Sequence, residues 1–440
     1  MDQFNKKVQE QKLQYPDKQQ QRWADCEIGV IIHYSKGLLG MGELEEIPCE
    51  VAADPAKINP EKLDTDQWLE CAKSLGAKYA VFVANQRNCQ GISLWQSESN
   101  PRSLKQSPYQ NGTCDLVGEF ISSCKKYDIL PGIYYQTGFG GHYFECEKYR
   151  MPGTLEHEEY LKVTEGDLRE LWENYGKWFE IWFDGGASTL KTEGVDVEGL
   201  LERLQPEAIC FQGPENHKRN LRWIGNEDGI APLNTWSTSN IKVCGYDGTE
   251  RDMEIGKGCP DGKYWFPAES DMGNRKPQAA GAGWGWSEGE EHLTWTPDEI
   301  LERYYMTVGR NTNLLIGECI ADDGKFHDVT QFREAGRRIR QIYENPIGEV
   351  SGEGMIFEVI CGEDKICKTI SIMEDISLGE RIRRFRVIAK IGEGEKEIFE
   401  GECIGHKRLI PLDGIRVSSM RLEITESIGM PQIRLFGIYG

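Results

Sequence analysis

Histidine is scarce in this chain. The 440 residues contain seven, at positions 33, 142, 157, 217, 292, 327 and 406, and no two stand in an H-x-x-x-H pair. C-x-x-C is absent as well, so no metal-ligand spacing is present and no metal site is expected. Positive charge is also short: 51 Lys and Arg face 72 Asp and Glu, a formal net charge of -21. That balance excludes the clustered cations a nucleic-acid or anionic-membrane partner requires. No run is long and apolar enough to cross a bilayer, and the polar, Gln-rich start MDQFNKKVQEQKLQYPDKQQQRW has no apolar core of the signal-peptide kind. The expectation is therefore a cytoplasmic protein with neutral ligands. A P-loop and a G-x-S-x-G elbow are missing, and GFGG at 138–141 lacks dinucleotide spacing, which argues against phosphate chemistry, serine hydrolysis and a bound cofactor.

Fourteen cysteines are present, but they are scattered through a long chain with no secretory leader, which points to free thiols rather than a disulfide framework. With 39% hydrophobic and 28% charged residues the composition is globular, and the length suits a barrel-sized domain with a smaller companion. Eight short apolar runs mark candidate strands: Ile28 to His33, Lys78 to Ala84, Leu130 to Tyr135, Phe179 to Asp184, Ala208 to Phe211, Leu221 to Gly225, Tyr264 to Glu269 and Asn313 to Gly317. Helix-period segments separate several of them, clearest at Thr65 to Leu75, Asp115 to Tyr127, Thr164 to Tyr175 and Pro297 to Val308. Continuous apolar strands alternating with helices predict an α/β fold, a (β/α)8 TIM-like barrel over residues 1–345. From about Gly348 the texture becomes alternating β-formers between Gly-rich turns, which predicts a C-terminal antiparallel β-sandwich over 346–440.

A barrel of this type gathers chemistry at the C-terminal ends of its strands. His33 ends the first run; Asn85, Gln86 and Arg87 follow the second; Tyr135 ends the third, with His142 in the stretch beyond. Asp184 ends the fourth in EIWFDGG, behind Trp182; Glu227 follows the sixth in RWIGNEDG; Glu269 ends the seventh. Asp-Gly-Gly is also good turn chemistry, Glu227 and Asp228 equally suit a solvated turn, and Glu269 has a structural ion pair with Arg275 as its plain alternative. Two carboxylates surrounded by Trp223, Trp265, Trp284 and Trp286 fit glycoside hydrolysis, in which one carboxylate attacks the anomeric carbon, the other protonates the leaving oxygen, and aromatic faces stack on the sugar.

These stretches together resemble the α-L-fucosidases of glycoside hydrolase family 29, and more closely the branch acting on α-1,3/1,4-linked fucose. IGVIIHY, GAKYAVFVA with GISLWQS, LVGEFISSCKKYDILPGIYY, LRELWENYGKWFEIWFDGG, RWIGNEDG, WFPAESDMGNR and YYMTVGRNTNLLIG stand in the family's order over residues about 22 to 345, and IGHKRLIPL resembles its C-terminal domain. The resemblance implies that Asp184 is the nucleophile of a retaining double displacement and Glu227 its general acid/base, at the separation of about 5 to 5.5 Å that retention needs. It implies that His33 contacts the sugar and that Glu269 and Arg275 shape the subsite for the rest of the glycan. One departure matters. Where the family has two histidines after the second strand, this chain reads AlaAsnGlnArgAsnCysGlnGlyIle at 84–92, leaving Gln86 and Arg87 as candidate sugar contacts. The expected partner is an oligosaccharide or glycoconjugate, with oligomeric state open. Two rivals stand beside an α-L-fucosidase: the same mechanism on another α-linked sugar such as an α-galactoside, and a carbohydrate-binding protein without turnover.

Overall fold

The apolar runs fold as buried strands. The structure, a computed structural model, describes residues 13–34, 54–86, 91–137, 153–191, 194–242 and 256–440. Strands β1 (Ile28–Tyr34) and β2 (Tyr79–Asn85) are buried at every position, as parallel strands covered on both faces must be. They are followed by β3 (Leu130–Tyr135), β4 (Glu180–Trp182), β5 (Ile209–Phe211), β6 (Asn220–Trp223), a short ribbon of β7 (Thr238–Ser239) and β8 (Tyr264–Trp265), then β9 (Ala268–Met272) and β10 (Asn313–Ile320). Eight of these close into a parallel barrel in the order β1-β10-β9-β6-β5-β4-β3-β2.

The seventh barrel strand differs from expectation. Tyr264 and Trp265 pair antiparallel with β7 outside the barrel, and the barrel strand begins at Ala268. Pro267 stands between the two, and a residue without an N–H cannot carry one ladder through into the other. Glu269 consequently lies near the start of its strand rather than at its end.

Helices α1 (Lys18–Cys26), α2 (Thr65–Leu75), α3 (Leu116–Tyr127), α4 (Leu155–Asn174), α5 (Val197–Leu204), α6 (Pro297–Met306) and α7 (Val329–Ile342) surround the barrel. Asp64, Asp115, Thr154, Asp196 and Thr296 cap five of them by accepting a first-turn backbone N–H. Helix α4 starts nine residues before the clear helical period of the sequence, because Thr154 supplies the cap and His157, Tyr160 and Val163 extend the buried face.

Beyond α7 the strands β11 (Pro346–Glu353), β12 (Ile356–Glu374), β13 (Ile382–Ile391), β14 (Gly394–Gly401), β15 (Arg408–Ser427) and β16 (Gln432–Tyr439) form an antiparallel sheet ordered β11-β16-β12-β15-β13-β14. The long strands β12 and β15 change register between Ile360 and Lys365 and between Cys367 and Thr369, so the sheet bends around one core that includes Phe357, Ile372, Phe385, Val387 and Phe436. Asn311, with a positive φ of 66°, joins this sandwich to the barrel. Its amide donates to the Glu380 carboxylate at 2.6 Å and to the Thr235 carbonyl at 2.9 Å, and its carbonyl accepts the His406 N–H at 2.7 Å. The cysteines among the described residues are all free thiols.

Candidate functional site

Alternation along a strand sends every second side chain into the barrel. At the lower end Tyr79 fills the space left by Gly29, where any side chain would collide with the phenol ring. Its hydroxyl donates to Glu269 at 2.5 Å, and Glu180 lies in the same buried layer. Burial pushes both carboxyls above the usual range, Glu180 further because the Glu269 charge adds to it. Glu269 also accepts the Trp182 indole N–H at 2.9 Å. It therefore anchors the barrel interior from below and does not form the rim, and it does not pair with Arg275.

The next layer is aromatic. Trp182 stacks on Phe211 with ring centres 3.9 Å apart and planes 2° from parallel, and on its other side faces Tyr134 at 5.5 Å and 15°. Tyr134 donates to Asp184 Oδ2 at 2.8 Å, and the Gln136 amide donates to the same oxygen at 3.4 Å. Asp184 is thus half-buried above a stacked platform, and the turn behind it is made by Gly185 and Gly186 at φ 72° and 95°, conformations that favour glycine.

Glu227 reaches the site from the loop after β6. That loop is fastened to β9 by the Ile224 N–H on the Glu269 carbonyl and the Gly229 N–H on the Asp271 carbonyl, both at 3.1 Å. The Trp284 indole N–H donates to Glu227 Oε2 at 2.8 Å, and the His33 ring lies 5.3 Å from Trp284, centre to centre. Trp223 and Trp284 pack against the cluster that contains Trp182 and Tyr134. The partners of both carboxylates therefore rest on one apolar floor.

Asp271, two residues beyond Glu269 on the same strand face, is buried and accepts the Trp223 indole N–H at 2.6 Å. Burial raises its carboxyl well above the usual range, the neighbouring Glu227 charge raises it further, and the Trp223 bond acts against both. A third carboxyl thus adjoins the Glu227 loop. Sequence reading singled out neither Asp271 nor Tyr134.

Other candidates lie elsewhere. Tyr135 points outward and donates to Asp167 of α4 at 3.1 Å, because it alternates with Tyr134. Arg275 is buried against Asp328 at 3.0 Å, with its guanidinium also over the Trp286 ring at 6.0 Å. Trp286 sits with that pair and His327 rather than beside Trp284. Gln86 is buried at the end of β2; Arg87 and His142 lie outside the described residues. Among the described residues no helix is long and apolar enough to cross a membrane.

A family model described as Alpha-L-fucosidase matches residues 2–337. The chain is 27% identical to the Alpha-L-fucosidase 1 of Arabidopsis thaliana over 486 residues, spanning 97% of this chain and 88% of that protein. Among solved structures, a Bacteroides thetaiotaomicron VPI-5482 protein assigned as an alpha-L-fucosidase superposes with a TM-score of 0.89 at 29% identity, over 97% of this chain and 99% of the other. A glycoside hydrolase 29 family member from an unknown rumen bacterium superposes with a TM-score of 0.81 at 25% identity, over 97% and 77%.

Proposed function

The chain belongs to the alpha-L-fucosidase family and is a glycoside hydrolase, and on that premise we propose that it releases terminal α-1,3/1,4-linked L-fucose from oligosaccharides by retaining double displacement. Asp184 attacks the anomeric carbon while Glu227 protonates the leaving oxygen; Glu227 then deprotonates the water that frees the sugar. The observation that carries this reading is the hydrogen bonding of the two carboxylates, Asp184 from Tyr134 and Glu227 from Trp284, above one aromatic floor. Tyr134 and Gln136 hold the Asp184 carboxylate in orientation for attack. Trp284, only partly buried, supplies an apolar face on which a pyranose stacks, with Trp182 sandwiched beneath it in the floor.

A second reading keeps the mechanism and changes the sugar. It is favoured by the stretch after β2, because no histidine occurs between His33 and His142 and Gln86 is buried where the first of the family's pair would stand. An α-galactoside, with a C6 hydroxyl that fucose lacks, is the alternative substrate.

Initial rates on aryl α-L-fucoside, α-D-galactoside, α-D-glucoside and α-L-arabinopyranoside, with Asp184→Asn as control, test both. Release from the fucoside, lost in the variant and yielding the α-anomer first by NMR, is expected. Release from another sugar alone selects the second reading, and undiminished activity of Asp184→Asn sinks both.

A further inference from the structure

Asp167, wholly buried on the inner face of α4, has no part in the chemistry above, yet four side chains converge on its carboxylate. Ser97 Oγ donates to Oδ1 at 2.7 Å; Ser93 Oγ at 2.8 Å, the Tyr135 hydroxyl at 3.1 Å and the Asn100 amide at 3.5 Å donate to Oδ2. Three of the four donors belong to the segment that follows β2. From them the bonds continue to the barrel mouth. The Asn100 amide also reaches the Gly91 carbonyl and Ser93 Oγ, both at 2.8 Å, and the Asn85 amide reaches the same two atoms at 3.2 and 3.3 Å. The Gly91 N–H returns to the Gln86 carbonyl at 3.3 Å. Gln86 and Gly91 are therefore both tied to a frame whose centre is Asp167.

A second carboxylate extends the frame. Glu170, one turn along α4, accepts the Trp95 indole at 2.9 Å, the Ser99 N–H at 3.0 Å and the Ser99 hydroxyl at 2.8 Å. None of this is needed to dock α4, whose Leu168, Leu171 and Trp172 already bury its apolar face. A carboxylate buried in place of an apolar group is costly unless its hydrogen bonds are complete. Burial pushes Asp167 up to about 7, and the bonds from Ser97 and Ser93 act against that shift.

We propose that Asp167 is a positioning residue for sugar selection: it fixes the frame that holds Gln86 and Gly91 where the chain leaves β2, and so governs which sugar is accepted without touching it. The identity of the ligand rests on the glycosidase reading above; the frame does not.

Asp167→Asn is the direct test, since it keeps the shape and turns one acceptor into an N–H2 group opposed to the Asn100 donor. For the best aryl α-glycoside, kcat/KM is expected to fall about tenfold or more, mainly through KM, with kcat within about threefold of wild type, because Asp184 and Glu227 stand on other strands. Discrimination between the fucoside and the galactoside should shrink as well. Hydrogen exchange of peptides covering 85–103 should accelerate while β10 keeps its protection. Phe332→Leu, in the core of α7, serves as a control for equal loss of melting temperature and should leave KM unchanged. Unaltered exchange over 85–103 overturns the proposal, as does a KM change no larger than that of Phe332→Leu. If the wild type hydrolyses nothing in the panel, the functional reading fails separately, and the exchange measurement still decides whether Asp167 holds the frame.

Discussion

Trp284 and Glu227, 57 residues apart in sequence, meet through one hydrogen bond of 2.8 Å from indole nitrogen to carboxylate. In Trp284→Phe the ring face remains and the donor is lost. A hydrogen bond to a charged group is worth about 1.5 to 3 kcal/mol, so kcat should fall roughly tenfold or more. The loss should be greatest for substrates with poor leaving groups, which depend most on protonation by Glu227. A series of aryl glycosides of graded leaving-group pKa measures this; a uniform loss across the series would separate Trp284 from the acid step.

Two adjacent tyrosines should behave oppositely. Tyr134→Phe removes the 2.8 Å bond to Asp184 and should lower kcat about tenfold. Tyr135→Phe removes a bond to Asp167 instead, and should leave kcat near wild type while altering KM. Steady-state kinetics of the two variants on one substrate distinguish them.

Arg275 and Asp328 form a buried ion pair, with Asp328 bonded also by the Asn274 amide at 2.8 Å. Removing one partner strands the other charge, so Arg275→Ala should cost about 3 to 5 kcal/mol, visible in urea unfolding. Replacing both by a Met and Leu pair should recover much of that loss.

Glu374 gives stability a pH dependence of definite sign. Burial raises its carboxyl to about 8, the Glu380 charge adds to this, and the Arg381 and Ile382 N–H groups oppose it. The folded state holds a proton that the unfolded state releases near pH 4.5, so the contribution is complete below that value and is lost as pH rises towards 8. Across that window one proton is worth about 1.4 kcal/mol per pH unit. Glu374→Gln should flatten the fall of unfolding free energy between about pH 5 and 8 by up to that slope. An unchanged slope would mean that Glu374 is ionised in the folded protein.

How much of this was legible differs from residue to residue. Asp184 was legible because a strand that ends in Asp-Gly-Gly declares its own end. Glu227 was legible through the stretch around it. Tyr134 and Asp271 were not: two adjacent tyrosines both suit a strand, and only the register of the pleat decides which one enters the barrel. Placing the seventh strand across Pro267 displaced it by about three residues, which put Glu269 at a rim it does not reach and hid Asp271 altogether. Asp167 had no sequence signal, since an aspartate in a helix reads as a solvated face until the neighbouring segment is seen to lie on it.

Asn311 stands inside YYMTVGRNTNLLIG, one of the stretches by which the chain resembles its relatives, yet its side chain faces Glu380 and His406 rather than the sugar platform. Part of what makes this sequence recognisable is thus a joint. A chain cut before the sandwich would strip Asn311 of Glu380 and the His406 N–H, and the Ser237 N–H of Glu380. Exchanging sandwiches between relatives would depend on how well that asparagine is received, together with the Leu233 carbonyl that Arg408 reaches and the Asp261 carboxylate that Arg383 reaches.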